Sequence, residues 1–239
     1  MTSACGSRAG PLPPAAISCV VIPFRPDAVV FDLDGVLVDT EPTWAQAEAE
    51  TVTGLGGAYT REIGALLYGR GHRDGGRILA ERFGGEPEAV ADTLLQHALA
   101  GMRRGVELLP GAFELVESLR GTVPVGIASN SVRVIVETAL ASAGLDGLFD
   151  VVVCGEDAPC PKPAPDPYLA ACRALDAEPA RSIAVEDSPV GVASAKAAGL
   201  YVIGAPQRGV ALPEADVVVP TLVGLDLTAA APDASARRA

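Results

Sequence analysis

Residues 28–41 read AVVFDLDGVLVDTE. Ala28, Val29, Val30 and Phe31 run without a polar interruption into Asp32, Leu33, Asp34 and Gly35. A short apolar run that is continuous rather than alternating suits a parallel strand covered on both faces, and it predicts a strand over 28–33. That strand delivers two carboxylates, Asp32 and Asp34, to its carboxyl end, where open α/β sheets form their ligand crevice.

Working outward, runs of the same kind predict strands over 123–128, 150–154, 182–185, 200–203 and 217–219. Helical stretches lie between them. Residues 110–120 put Phe113, Val116 and Leu119 on one face, and 131–143 open on Ser131 as N-cap and end before Gly144. Residues 165–175 turn Tyr168, Cys172 and Leu175 inward, and 188–198 start with Ser188 as N-cap and Pro189 in the first helical position. This succession predicts an α/β fold, a doubly wound, mostly parallel Rossmann-like sheet. From 42 to 105 no strand is predicted, while 42–53, 61–68, 74–83 and 87–104 read as helices. Roughly sixty helical residues are too many for one crossover, so an all-helical subdomain over 42–105 is inserted into a core made of 27–41 and 106–227. Residues 228–239, small, polar and proline-bearing, are expected to be a disordered tail, and residues 1–26 a disordered extension.

The 239 residues are 49% apolar and 20% charged, enough to bury a sizeable core. A formal charge of −12 argues against a nucleic-acid or anionic-membrane partner, both of which need a basic face. Cys5, Cys19, Cys154, Cys160 and Cys172 form an odd set without a C-x-x-C pair, so reduced thiols are expected rather than disulfides or zinc. The most apolar early stretch, residues 9–24, is broken by four prolines and makes neither a membrane span nor a signal peptide. A cytoplasmic monomer is the expectation. Only two residues of the chain, Lys162 and Lys196, are lysine, against sixteen arginines.

Four predicted strand ends carry polar residues: Asp32 and Asp34, then Ser129 and Asn130, then a proline-rich loop with Lys162, then Glu186 and Asp187. Each alone has a bland reading: a helix cap for Ser129, a solvated charge for Lys162, a turn residue for Asp187. Their convergence on one sheet edge does not. Several carboxylates repel one another unless a cation lies among them, and a few carboxylates with room for water and phosphate oxygens describe Mg²⁺ better than Ca²⁺ or Zn²⁺. A hydroxyl, backbone N–H groups and a lysine suit phosphate oxygens. Such a site is equipped for phosphoryl transfer to a carboxylate.

The segment Asp32-Leu-Asp34-Gly-Val-Leu-Val-Asp39-Thr-Glu41 resembles the first motif of the haloacid dehalogenase-like hydrolase superfamily. Ser129 resembles its second, Lys162 within KPAPDPY its third, and Glu186-Asp187-Ser188-Pro189 with the run to Leu200 its fourth. The resemblance spans about residues 27–226, and the helical insert is similar to the cap of the phosphatase and β-phosphoglucomutase-like branch. It implies that Asp32 attacks phosphorus and that Asp34 protonates the leaving alcohol and later takes a proton from water. It implies Mg²⁺ held by Asp32, the backbone carbonyl of Asp34 and Asp187, with Glu186 orienting water there. Ser129, the N–H of Asn130 and Lys162 would hold phosphoryl oxygens. The two surviving lysines, both inside motifs, add weight to Lys162, while Lys196 is read as structural.

A cap of this kind chooses the substrate, so Glu41, Arg70, His72 and Arg73 are candidate specificity residues. Trp44 stands at the cap hinge or the substrate, and His97 is read as structural. The expected activity is hydrolysis of a small phosphorylated metabolite, a sugar or polyol phosphate. A hexose-phosphate mutase is the alternative, disfavoured because Thr40-Glu-Pro-Thr-Trp44 lacks the histidine of that branch. A dehalogenase would leave Asp34 idle, and a phosphonate hydrolase needs a cap lysine that 42–105 lacks. A non-catalytic phospho-acceptor module would have neither a cap nor a use for Asp34.

Overall fold

The strand that carries Asp32 at its end lies at the centre of the sheet. In the computed structural model, which describes residues 20, 22–207 and 209–228, β1 (Ala28–Phe31) pairs in parallel with β4 (Val125–Ala128) on one side and β6 (Ser182–Glu186) on the other. With β5 (Val151–Val153), β7 (Tyr201–Gly204) and β8 (Val217–Val218), the sheet order is β5-β4-β1-β6-β7-β8, all parallel. Counting only its own strands, this is the order 3-2-1-4-5-6 of a doubly wound dinucleotide-type sheet, whose direction of winding reverses beside β1. In sheets of this kind ligands bind at such a reversal, outside the carboxyl ends of the strands.

The continuous apolar runs have the expected cause. Val29, Phe31, Ile127, Ile183, Val185 and Ile203 face one core, while Val30, Ala128, Ala184 and Val202 face a second. The first is closed by α5 (Ala112–Leu119) and α6 (Arg133–Ala143), the second by α7 (Asp166–Ala174) and α8 (Pro189–Ala197). A strand buried on both faces has no polar side to show, so its sequence cannot alternate. Ser188 caps α8 as predicted, its hydroxyl accepting from Gly191 N at 3.1 Å with Pro189 next in line, and Gly144 ends α6 in the left-handed region.

Four helices fill the insert: α1 (Glu41–Gly54), α2 (Arg61–Leu67), α3 (His72–Phe83) and α4 (Pro87–Arg104). They share a small core of Val52, Ile63, Leu67, Leu79, Ala80 and Val90. Leu94, Ala98, Leu99 and Met102, further along α4, belong instead to the main core, so α4 ties the insert to the sheet domain.

Several expectations need correction. The insert is bracketed by a short antiparallel pair, β2 (Val38–Asp39) and β3 (Glu107–Leu108), that the sequence does not announce, because two-residue strands carry no periodicity. Ser131 does not cap α6: Val132 stands at that position without a side-chain bond, and the Ser131 hydroxyl is used elsewhere. Phe113 is exposed, and the inner face of α5 is made by Ala112, Leu115, Val116 and Leu119. The expected extension also stops short of residue 26. Ile22 is fully buried in the main core, and Phe24 meets Tyr201 edge to face at 5.9 Å. Residues 1–19 and 229–239 lie outside the described residues. Among those described, Cys154, Cys160 and Cys172 are free thiols, and no helix is long and apolar enough to cross a membrane.

Candidate active site

The sheet hydrogen bonds place the candidate residues before any side chain is considered. Asp32 N donates to Val185 O at 3.0 Å, one rung past the last paired residue of β1, which sets Asp32 beside Glu186 and Asp187. Ser129 N donates to Val153 O at 3.0 Å in the same manner on the other side. Carboxylate oxygens of Asp32, Glu186 and Asp187 lie within 4.8 Å of one another.

Lys162 reaches this trio through the core. Its Nζ is 2.6 Å from Asp32 Oδ1 and 2.6 Å from Glu186 Oε1, with the side chain only 5% exposed. Glu186 is wholly buried, and its oxygens are amply served. Oε1 accepts from Lys162 and from the Tyr168 hydroxyl at 2.7 Å, and Oε2 from Asp187 N at 3.2 Å and Ser188 Oγ at 3.3 Å. Burial pushes the Asp32 carboxyl well above the usual range; Glu186, Asp187 and Asp34 push the same way against the opposing pull of Lys162. Asp187 is pushed up to about 7 by burial and by Glu186, with Lys162 working against them. Burial disfavours the Lys162 ammonium, yet Asp32 and Glu186 together overcome it and hold the group charged, above the ordinary lysine range.

Two glycines make this packing feasible. Gly35 has φ +80°, and a Cβ there would lie 2.1 Å from Asp187 Oδ2. A Cβ on Gly191 would lie 1.9–2.0 Å from the carboxylate atoms of Glu186. The glycine after the two aspartates is therefore both a turn residue and the wall against which Asp187 rests.

Asp34 stands apart from the trio. Its Oδ1 accepts from the Thr40 hydroxyl and its Oδ2 from Ser131 Oγ at 3.1 Å. Its side chain is thus held between the turn after β4 and the start of the helical insert. Ser129 is buried, and its oxygen accepts from Ser131 N at 3.0 Å, which leaves the hydroxyl proton for a ligand. The Asn130 amide clasps the Lys162 peptide at two points, Lys162 N to Oδ1 at 2.9 Å and Nδ2 to Lys162 O at 3.2 Å. That side chain is spent on placing the lysine, so any phosphate contact of Asn130 rests on its backbone N–H.

The insert residues are brought together less closely. Arg70 is exposed and folds back, Nε donating to Leu66 O at 2.8 Å. Arg73 is exposed at the start of α3. His72 alone of this loop is half-buried; burial and Arg73 lower its pKa, with Asp92 and Glu156 working against them. Glu156 belongs to the core loop after β5. Glu41 opens α1, with its N–H on Asp39 Oδ1 at 3.3 Å, and Trp44 packs against the main core. His97 Nδ1 pairs with the Thr51 hydroxyl at 3.0 Å inside the insert, a structural role.

Thr40, Ser131 and Tyr168 were not among the sequence candidates for the site. Ser131 two places after Ser129 was a readable signal; the other two owe their positions to tertiary packing. The trio offers only carboxylate oxygens, a hard-donor set suited to Mg²⁺ rather than to a softer metal, and the Gly35 surface keeps Asp187 turned into it.

The model of the haloacid dehalogenase-like hydrolases matches residues 26–199, a span that holds all four strand ends. The chain belongs to that family. Validoxylamine A 7'-phosphate phosphatase of Streptomyces hygroscopicus subsp. limoneus is 33% identical over 198 residues, 81% of this chain and 92% of that protein. Fructose-1-phosphate phosphatase YqaB of Escherichia coli (strain K12) is 30% identical over 72% of this chain and 92% of its own length. Among solved structures, CbbY from Rhodobacter sphaeroides in complex with phosphate superposes with a TM-score of 0.73 at 28% identity, covering 83% of this chain and 96% of that one. As a haloacid dehalogenase-like hydrolase, the chain has its charged cluster at the strand ends where the sequence places the four motifs.

Proposed function

We propose that this hydrolase is a Mg²⁺-dependent phosphatase that releases phosphate from a small phosphorylated sugar or polyol through an aspartyl phosphate on Asp32. The observation that carries the reading is the Lys162 ammonium 2.6 Å from Asp32, a phosphate-holding cation beside a carboxylate at the head of the central strand. Two relatives named above are phosphatases of phosphorylated small molecules, and the CbbY structure is a complex with phosphate, which supports the substrate class.

In the first step an Asp32 oxygen forms a bond to phosphorus as the bond to the alcohol oxygen breaks, and Asp34 gives that oxygen a proton. In the second, water attacks phosphorus, Asp34 takes its proton, the bond to Asp32 breaks and the carboxylate is restored. Ser129 Oγ–H, the N–H of Asn130 and Lys162 hold the phosphoryl oxygens through both steps. Asp32, Asp187 and the backbone carbonyl of Asp34 would hold Mg²⁺, with Glu186 beside them; when bound, it neutralises charge between the carboxylates and the phosphoryl group. Thr40, whose hydroxyl donates to Asp34, sits immediately before α1, where the helical insert begins. Movement of that insert as a cap would couple closure to proton transfer. Glu41, which opens α1, and Arg70, His72 and Arg73 of the insert are assigned to substrate choice, with His72 foremost of those three because it alone is half-buried.

The test is phosphate release from a panel of phosphorylated sugars and polyols with Mg²⁺ and with chelator. Mg²⁺-dependent release supports the reading, and no release from any member contradicts it. Conversion of β-glucose 1-phosphate to glucose 6-phosphate with a bisphosphate primer, without phosphate release, would make the protein a mutase instead.

A further inference from the structure

The Tyr168 phenol is fully buried at the base of the site, and nothing in the reading above uses it. A tyrosine buried in a core must find a partner for its hydroxyl, and this one has chosen an oxygen already taken. Tyr168 Oη donates to Glu186 Oε1 at 2.7 Å, the same oxygen that receives Lys162 Nζ at 2.6 Å, and Oη lies 3.4 Å from Nζ. The ring lies beneath the ammonium, 4.9 Å from nitrogen to ring centroid. Nζ is therefore surrounded by the Asp32 and Glu186 carboxylates, by the Tyr168 hydroxyl oxygen, which accepts from it at 3.4 Å, and by the Tyr168 ring.

We infer that Tyr168 is a positioning residue for Lys162, dividing the hold of Glu186 so that the ammonium stays shared with Asp32. A carboxylate oxygen that accepts two donors binds each less strongly than one that accepts a single donor. Nζ stands at equal distances from its two carboxylates. Without the phenol proton, Glu186 Oε1 would have Lys162 alone and would draw the ammonium toward itself. The pull leads away from Asp32 and from the place where the proposed phosphoryl oxygens arrive. The ring itself fills the second core with Ala171, Cys172, Val192 and Ala195, so ring and hydroxyl have separable tasks. One fills space, and the other sets the balance of the ion pairs.

The inference rests on the proposed phosphatase reading, and Tyr168→Phe tests it because the ring is kept. The expected result is a kcat/KM lower by about tenfold, the size of a lost hydrogen bond to a charged group. A several-fold weaker inhibition by inorganic phosphate should accompany it, a change that loss of packing alone would not cause in protein folded to wild-type ellipticity. As a second measurement, with the hydroxyl at 168 retained, the 3-fluorotyrosine-labelled protein should show the Tyr168 fluorine resonance moving when inorganic phosphate is added with Mg²⁺. Wild-type hydrolysis with unchanged kinetics and phosphate inhibition in Tyr168→Phe, or a resonance indifferent to phosphate, overturns the role of Tyr168 alone. Wild-type protein that neither hydrolyses a phosphate ester nor binds phosphate overturns the phosphatase reading and this inference with it.

Discussion

Ser131 Oγ lies 3.1 Å from Asp34 Oδ2, a contact across 97 positions of sequence that joins the turn after β4 to the turn after β1. With Thr40 on the other oxygen, it fixes the orientation of the side chain assigned to proton transfer. Proton transfer by a side chain contributes about 10²–10⁴-fold and depends on that orientation.

Asp34→Asn should therefore lower kcat for an alkyl phosphate by about 10²–10⁴-fold. With p-nitrophenyl phosphate, whose leaving group needs no proton, rapid-quench kinetics should show a burst of one nitrophenol per active site followed by slow turnover. Ser131→Ala should slow steady turnover by about tenfold, the cost of one hydrogen bond to a charged group, and leave the aryl burst nearly intact. Steady turnover of Asp34→Asn at the wild-type rate would remove Asp34 from the mechanism.

The carboxylates make metal binding depend on pH with a definite sign. Asp187 is raised to about 7 by burial and by Glu186 against Lys162. A carboxyl whose folded pKa is raised adds stability that is full below its unfolded value near 4 and is lost as pH rises through about 7. The metal-free protein should thus lose stability between about pH 4 and pH 8. A divalent cation favours the deprotonated carboxylates, so the rise in melting temperature caused by Mg²⁺ should grow over the same interval, reaching several degrees at the alkaline end, and vanish with chelator. Differential scanning calorimetry at pH 5, 6, 7 and 8, with and without Mg²⁺, measures it. A Mg²⁺ effect independent of pH would contradict the assignment of Asp187.

Gly191→Ala tests the packing behind Glu186. A Cβ at that position would lie 1.9–2.0 Å from the Glu186 carboxylate, so the carboxylate must move. The residue lies within α8, where alanine favours helix, and overpacking of this kind costs about 1–3 kcal/mol. The expected variant is folded, melts several degrees lower and has lost at least tenfold in kcat because Lys162 is displaced with Glu186. Near wild-type kcat would mean that the Glu186 position is not critical.

Much of this was legible in the residues themselves. The order of strands and helices followed from continuous apolar runs and from Ser188, Pro189 and Gly144 at helix ends, because strands buried on both faces and helix caps leave local signals. The meeting of Asp32, Lys162, Glu186 and Asp187 was legible because strand ends in such a sheet converge. The β2/β3 pair was too short to carry a pattern. The hydroxyl of Ser131 looked like a cap because a serine before a helix usually is one; here Asp34 competes for it. The Tyr168 hydroxyl was hidden by its ring, which reads as core at the spacing of α7 whether or not it carries a hydroxyl. Asn130 was read for its backbone, while its side chain holds the Lys162 peptide. Arg70 was read as a specificity residue, and its Nε donates instead to the Leu66 carbonyl near the end of α2, a local bond that the sequence does not announce.

The central claim is that Asp32 becomes phosphorylated. Wild-type protein mixed with Mg²⁺ and a hydrolysed substrate from the panel, acid-quenched within the first turnovers and digested, should yield a peptide carrying one phosphoryl group on Asp32. Asp32→Asn should carry none and should release no phosphate. A phosphoryl group found on another residue, or full hydrolysis by Asp32→Asn, would contradict the account.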